Sequence, residues 1–375
     1  MIYVHVPFCR SFCTYCDFYS ELACKGKDEE AFARWADEVC AEIDARRGEI
    51  AATLDLDTLY IGGGTPSVLP LSVLRRITDA LDAGPYREFT IEVNPEDIIE
   101  RGPEYVRGLL DLGVNRISMG VQSLDDRILR WMNRRHSANG ARQAFSILKA
   151  AAQGSIPSPT ASLRCAPLCA SDSGAPENPL IFGVACRGWR RSCEGISPCA
   201  DISIDLISGV PGMTMEILEE TVEEVTGWHP EHISAYQLSI EEGSALARMI
   251  EKGEVQELGE DECRAQYDYL CRRLAEAGYR HYEISNWALP GHEAVHNSAY
   301  WTRHPYVGLG PGAHSLIRNR RSWNSQTPSG WMSESETLTP EQIHTEEVML
   351  LARTDRGPIP EKDWFVADDI ITDLL

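Results

Sequence analysis

An alternation of short apolar strands with amphipathic helices limits the fold of this 375-residue chain more than any other feature. Strands are expected at 2–6, 57–61, 89–93, 116–121, 202–207 and 232–238. Helical periodicity occupies 28–47, 71–81, 105–112, 125–132, 141–152, 216–226 and 261–277. On the first helix Phe32, Trp35, Ala36, Val39 and Ile43 share one face. Such alternation predicts a parallel sheet with right-handed crossovers. Six units, where a closed barrel has eight, predict an incomplete (β/α)6 TIM-like barrel of the α/β class. Several strands run into a polar or glycine motif: Gly62-Gly63-Gly64-Thr65-Pro66, Glu92-Val93-Asn94-Pro95, Gly120-Val121-Gln122-Ser123 and Ser208-Gly209-Val210-Pro211. Chemistry in such folds sits at the C-terminal ends of the strands, so these motifs are expected to meet at one site.

The first strand leads directly into Cys9, Cys13 and Cys16, a C-x3-C-x2-C spacing. Thiolates this close together select iron–sulfur clusters, zinc or copper(I). A closed zinc site needs a fourth protein ligand, and the residue two after Cys16 is Phe18. Three cysteines on a four-iron cubane leave one iron open to another ligand. Three unrelated thiols, or half of a zinc site, are the simpler readings of the same spacing. The glycine triplet lets the backbone approach a ligand and adopt positive φ, but also suits an ordinary turn. Glu92 and Gln122 can serve a bound ribose or ammonium, or be satisfied polar groups at a barrel rim.

The Cys spacing, with Tyr15 before the last cysteine, resembles the radical S-adenosylmethionine (SAM) superfamily. In that superfamily the open iron of a [4Fe-4S] cluster chelates SAM, and the reduced cluster cleaves it to a 5'-deoxyadenosyl radical. Tyr3-x-His5-x-Pro7-Phe8-Cys9, the GGGTP run, Glu92-x-Asn94-Pro95, Gly120-x-Gln122-Ser123, Asp205-Leu-Ile-x-Gly-x-Pro211 and Tyr236-x-Leu238 look like its coproporphyrinogen III oxidase-like branch. By that resemblance Cys9, Cys13 and Cys16 hold the cluster. Tyr3, Tyr15, Gly63, Gly64, Thr65, Glu92, Gln122, Arg134 and Asp205 match SAM-contacting positions; Arg135 adjoins Arg134 and allows a shift of register. Further on, His296-Asn297-x-x-Tyr300-Trp301, followed by Gly308-Leu-Gly310-Pro-Gly312-Ala-His314, is similar to the heme chaperone members of the branch. There HNxxY is the proposed heme-binding motif, which implies a heme site at His296, Asn297 and Tyr300. Both residue types ligate heme iron, and on a helix positions 296 and 300 share a face. The spacing itself also suits a histidine and a tyrosine that satisfy each other at a domain junction.

Three functions compete on this reading. The first is a heme chaperone that carries heme to acceptor proteins. The second is an oxygen-independent coproporphyrinogen III dehydrogenase, for which the resemblance implies a further cysteine where this chain has Phe18, and an N-terminal extension. The third is the product of a damaged gene. The HNxxY pattern favours the first, without coproporphyrinogen conversion. SAM cleavage would require a low-potential donor such as a flavodoxin or ferredoxin.

Charge and length set the surroundings. A formal net charge of −22 opposes binding to nucleic acid and anionic membrane, with Arg318-Asn-Arg320-Arg321 as a local exception. No apolar run approaches the ~20 residues that span a bilayer. The Cys motif starts at residue 9, which leaves no room for a signal or transit peptide. The twelve cysteines then read as reduced thiols of a cytoplasmic protein.

The expected organisation is a core over 1–285 and a smaller C-terminal accessory domain over 286–375, cut short relative to the related proteins. An irregular insertion at about 154–200 interrupts the core. It is rich in Ser, Pro and Ala, carries Cys165, Cys169, Cys186, Cys193 and Cys199, and stands where a loop of about 2–6 residues belongs. A surface excursion, a shifted reading frame and a second metal site are its alternative readings. A final helix over 339–351 begins with a capping signal, Thr339-Pro-Glu-Gln342.

Overall fold

A computed structural model describes residues 1–23, 28–152, 200–327 and 330–374. The insertion and its five cysteines fall almost entirely outside the described residues. The six expected strands are present as β1 (Ile2–Val6), β2 (Thr58–Gly63), β3 (Glu88–Val93), β4 (Arg116–Gln122), β5 (Asp201–Ser208) and β6 (His232–Gln237). They pair in parallel in chain order. The sheet gains one strand at the β1 edge, Val307–Leu309, and an antiparallel pair, Asn286–Ala288 and Arg280–Glu283, at the β6 edge. The result is a barrel-like sheet left open, as the count of βα units predicts.

Strict alternation along these strands decides what faces where. Val4, Val6, Leu59, Ile61, Phe89, Ile91, Ile117, Met119, Ile202, Ile204 and Ile233 are buried to within 1%. They pack against the helices Asp28–Ala45, Leu71–Leu81, Pro95–Asp111 and Ala138–Ala152. Each such side chain contributes about 2 kcal/mol on burial. The intervening residues, Tyr60, Thr90, Glu92, Ser118, Gly120, Ser203, Asp205, His232, Ser234 and Tyr236, line a cavity on the other face. A closed TIM barrel fills its interior with branched apolar side chains; this one is polar and hollow.

Two features differ from what the sequence predicts, and the first has a local cause. The helix expected from residue 105 begins at Pro95, because Asn94 caps it by accepting from the Glu96 N–H at 3.0 Å. Gly102, at φ 68°, kinks it just before Pro103 and hides its first half from periodicity. The main sheet also reaches past residue 285, since 286–288 and 307–309 are both strands of it. A separate antiparallel sheet of His314–Ile317, Arg320–Thr327 and Gly330–Thr337 follows. The helix Pro340–Leu351 starts in a reciprocal capping box between Thr339 and Gln342. Among the described residues, no helix is long and apolar enough to cross a membrane.

Candidate cofactor site

A cavity of about 870 Å³ opens at the C-terminal ends of the strands and runs down the sheet's polar face. Its mouth is lined by Cys9, Cys13, Cys16, Tyr15, Gly63, Gly64, Thr65, Glu92, Gln122 and Arg134, with Asp205 farther in. Of the sequence-expected SAM positions only Tyr3 is not part of the lining. It lies beneath, its hydroxyl sharing a hydrogen bond with His5 Nδ1 at 3.1 Å.

The cysteine loop is tied down on both sides. The Thr65 hydroxyl donates to Cys9 Sγ at 3.5 Å, and Arg134 Nη1 donates to Cys13 Sγ at 3.4 Å. The backbone N–H groups of Gly64 and Thr65 donate to the Val6 and Phe8 carbonyls at 2.7 and 2.8 Å. A Cβ on Gly64 would stand 2.8 Å from the Phe8 oxygen and 3.1 Å from Cys9 Sγ, so only glycine fits. Gly63 has φ 108° and abuts the His5 ring, which is held by the Tyr19 carbonyl at 2.9 Å. His5, the second residue of the Tyr3-x-His5 motif, thus supports the glycine turn, a role that its place in the sequence does not announce.

The three sulfurs are partly exposed free thiols, and burial pushes Cys9 up and Cys16 up to about 11. Among the described residues no three His, Cys, Asp or Glu side chains converge as around a single ion. A cluster whose irons each take one thiolate does not ask for that convergence. Three thiols at the mouth, backed by a glycine where no Cβ fits, suit such a cluster.

Glu92 is a half-buried acid of the mouth. Tyr60 donates to its Oε1 at 2.8 Å and the Gly63 N–H to its Oε2 at 3.1 Å. Burial pushes its carboxyl up to about 7 despite the Tyr60 bond, with nearby Asp205 adding to the rise. Asp205 accepts from Ser118 at 2.7 Å and is also raised by burial. A bulge at Gly120 to Gln122, where Gln122 takes φ 67°, re-aims the end of β4. Arg134 Nη2 donates to the Gly120 carbonyl at 2.7 Å, whereas Arg135 is engaged by Asp97 at 2.8 Å. Arg134 is therefore the arginine turned onto the cysteine loop.

The HNxxY residues lie at the opposite end. The helix Val295–Trp301 plugs the N-terminal ends of the strands, its Val295 and His296 N–H groups donating to the Glu88 carboxylate at 2.7 and 2.8 Å. His296 is wholly buried. Its Nδ1 bonds the Thr58 hydroxyl at 2.9 Å and its Nε2 the Tyr300 hydroxyl at 3.0 Å. Burial lowers its pKa to about 3, which keeps it neutral. Of the three motif residues only Asn297 lines the cavity. Arg320 and Arg321, the expected basic patch, are drawn into ion pairs with Glu49, Glu336 and Glu346.

Residues 3–157 match the radical SAM superfamily. The chain is 30% identical over 372 residues to the heme chaperone HemW of Mycobacterium tuberculosis, covering 95% of this chain and 82% of that one. It is 30% identical to the heme chaperone HemW of Lactococcus lactis, covering 96% and 83%. Among solved structures, coproporphyrinogen III oxidase (HemN) from Escherichia coli, described as a radical SAM enzyme, superposes with a TM-score of 0.67 at 18% identity. That superposition covers 94% of this chain and 75% of the other, and bears on fold alone.

Proposed function

We propose, for a chain that belongs to the HemW family within the radical SAM superfamily, the function of a heme chaperone that binds a [4Fe-4S] cluster, SAM and heme and passes heme to acceptor proteins. The observation that supports it is a single cavity lined both by the cysteine trio and by all but one of the expected SAM positions. Cys9, Cys13 and Cys16 would hold the cluster. Gly63, Gly64, Thr65, Glu92, Gln122, Arg134 and Asp205 would receive SAM around it, with Tyr15 at the mouth and Tyr3 beneath. When bound, the reduced cluster supplies the electron that splits SAM; a flavodoxin or ferredoxin is the proposed donor. Glu92, steadied by the Tyr60 hydroxyl and the Gly63 N–H, would accept from the ammonium group of SAM in its ionised form. The free thiols suit a reducing compartment, and the reading includes a cytoplasmic location.

Heme is proposed at the His296-Asn297-x-x-Tyr300 segment with one condition. As the pair stands, both His296 nitrogens are engaged, and the tyrosine hydroxyl is one of the partners. Neither offers heme iron a free ligand atom, so ligation there requires the His296–Tyr300 bond to open.

Anaerobic reconstitution with iron and sulfide, followed by absorption spectra with SAM and heme added separately, tests the reading. A cluster spectrum perturbed by SAM, a heme band, and no conversion of coproporphyrinogen III are expected. Conversion of coproporphyrinogen III with SAM would replace the chaperone by the dehydrogenase. A His296→Ala, Tyr300→Ala variant that binds heme as tightly as the parent would remove the heme assignment at that segment.

A further inference from the structure

The cavity has a second chemical end, remote from the sulfurs. Arg116 is the first residue of β4 and 4% exposed. It lines the floor together with Thr90, Ser203, His232, Ala294 and Asn297. Its Nη1 donates to the His292 carbonyl at 3.1 Å and lies 3.6 Å from Asp201 Oδ2. That carboxylate is also bonded by His292 Nδ1 at 2.9 Å. Among the described residues Arg116 Nη2 has no hydrogen-bond partner. Neither has the hydroxyl of Thr90, its register neighbour on β3. Buried donors of this kind are rarely left unmade, and a bare guanidinium N–H is among the costliest.

The surrounding side chains do not supply the missing acceptor. His232 is committed through Nδ1 to Ser203 at 2.8 Å and through Nε2 to the Tyr282 hydroxyl at 2.7 Å. Asp205 accepts from Ser118 one step further up the sheet. Arg116 precedes Gly120 along β4 by about 13 Å at the usual strand rise. A group on the floor therefore does not contend with one held at the cysteine loop.

We propose that this floor is a carboxylate-binding subsite, in which Arg116 Nη2 and the Thr90 hydroxyl donate to the carboxylate oxygens and Asn297 flanks it. Planar guanidinium donors match a carboxylate edge. Two sources carry that chemistry: a free short-chain carboxylate, or a propionate arm of heme. The second rests on the function proposed above; the subsite itself does not.

The test uses the full chain and two probes, sodium propionate and propionamide, in ligand-observed NMR titrations. Propionate is expected to bind at least about tenfold more tightly than the amide, since a charge-assisted hydrogen bond is worth about that factor. Arg116→Gln is expected to remove the difference. Asn297→Leu, which fills the floor without touching the bonds of Arg116 to His292 and Asp201, is expected to block propionate and serves where Arg116→Gln does not fold. Equal binding of the two probes, or propionate binding unchanged in a folded Arg116→Gln or in Asn297→Leu, overturns the subsite. Heme and its dimethyl ester then separate the sources. Weaker binding of the ester in the parent, with no such difference in Arg116→Gln, assigns the carboxylate to heme. Equal binding assigns it to a free carboxylate. Failure of heme to bind while propionate does removes the chaperone reading and leaves the subsite standing.

Discussion

The two ends of the barrel make opposite use of similar residues. At the mouth, cysteines, glycines, Glu92, Gln122 and Arg134 present atoms to a cavity. At the floor, His296 and Tyr300 present theirs to each other and to Thr58. Both ends carry a short motif of chemically potent side chains, and both are well packed. The difference lies in the backbone. The mouth motifs sit at the ends of the strands and in the loops after them, where tight turns and a bulge point side chains inward. The floor motif sits on a helix whose N-terminus is clamped by the Glu88 carboxylate, so its histidine faces the sheet and only Asn297 faces the lumen. Motif chemistry alone does not tell an open site from a satisfied one.

Substitutions at the mouth should carry the largest effects and leave the floor intact. Cys13→Ser is expected to abolish the cluster's visible absorption after anaerobic reconstitution, while circular dichroism stays that of the parent. Retained absorption would mean that the loop is not the cluster's holder. Gly64→Ala comes next: its methyl has no space against the Phe8 and Val6 carbonyls. SAM-induced spectral change should disappear and the Cys9 segment shift, measured on the same reconstituted sample.

At the floor the expected loss is in stability. His296→Ala empties a fully buried site and strands two partners, for a cost of about 3 kcal/mol in urea unfolding. The cluster spectrum of the surviving folded protein should not change. Tyr300→Phe removes one hydroxyl and leaves one buried nitrogen unmet, for about 1–2 kcal/mol. A Tyr300→Phe variant as stable as the parent would show that the His296–Tyr300 bond does not hold the floor.

The two ends should also answer pH with opposite sign. Glu92 has a folded pKa of about 7, above the ordinary carboxylate value, because it is buried. The folded state binds the extra proton, so this contribution is complete below about pH 4.5 and is lost as pH rises through 7. His296 has a folded pKa of about 3, below the usual value of 6.5, again through burial. Here the unfolded chain binds the extra proton, so stability falls as pH drops from 6.5 toward 3. Each effect amounts to at most about 1.4 kcal/mol per pH unit inside its window. In urea unfolding as a function of pH, Glu92→Gln should flatten the rise in instability toward pH 7, and His296→Gln the acid limb. A His296→Gln variant with an unchanged acid limb would mean that other buried histidines, such as His136 and His232, set it.

Much of this fold is legible in the sequence. Period-two alternation and helical spacing are local properties of neighbouring residues, so six strands, their order and the strand-end motifs could be read directly. The alternation carries a further signal: the residues between the apolar ones are Tyr60, Thr90, Ser118, Ser203, Asp205, His232 and Ser234, which announces a polar lumen. The helix from Pro95 stayed hidden because Gly102 and Pro103 look like a stop.

By itself the chain determined that a parallel, open α/β barrel forms, which follows from spacings of a few residues, and that the cysteine trio and the glycine triplet stand at the same ends of its strands, which follows from that parallel order. Only the tertiary structure decided that Arg134 and not Arg135 turns to the cysteines, that His296 finds Thr58 across 238 positions, and that Arg116 keeps an empty donor over the floor. Those outcomes depend on which distant side chains share a low-dielectric space, and each buried polar atom must find a partner there or go without.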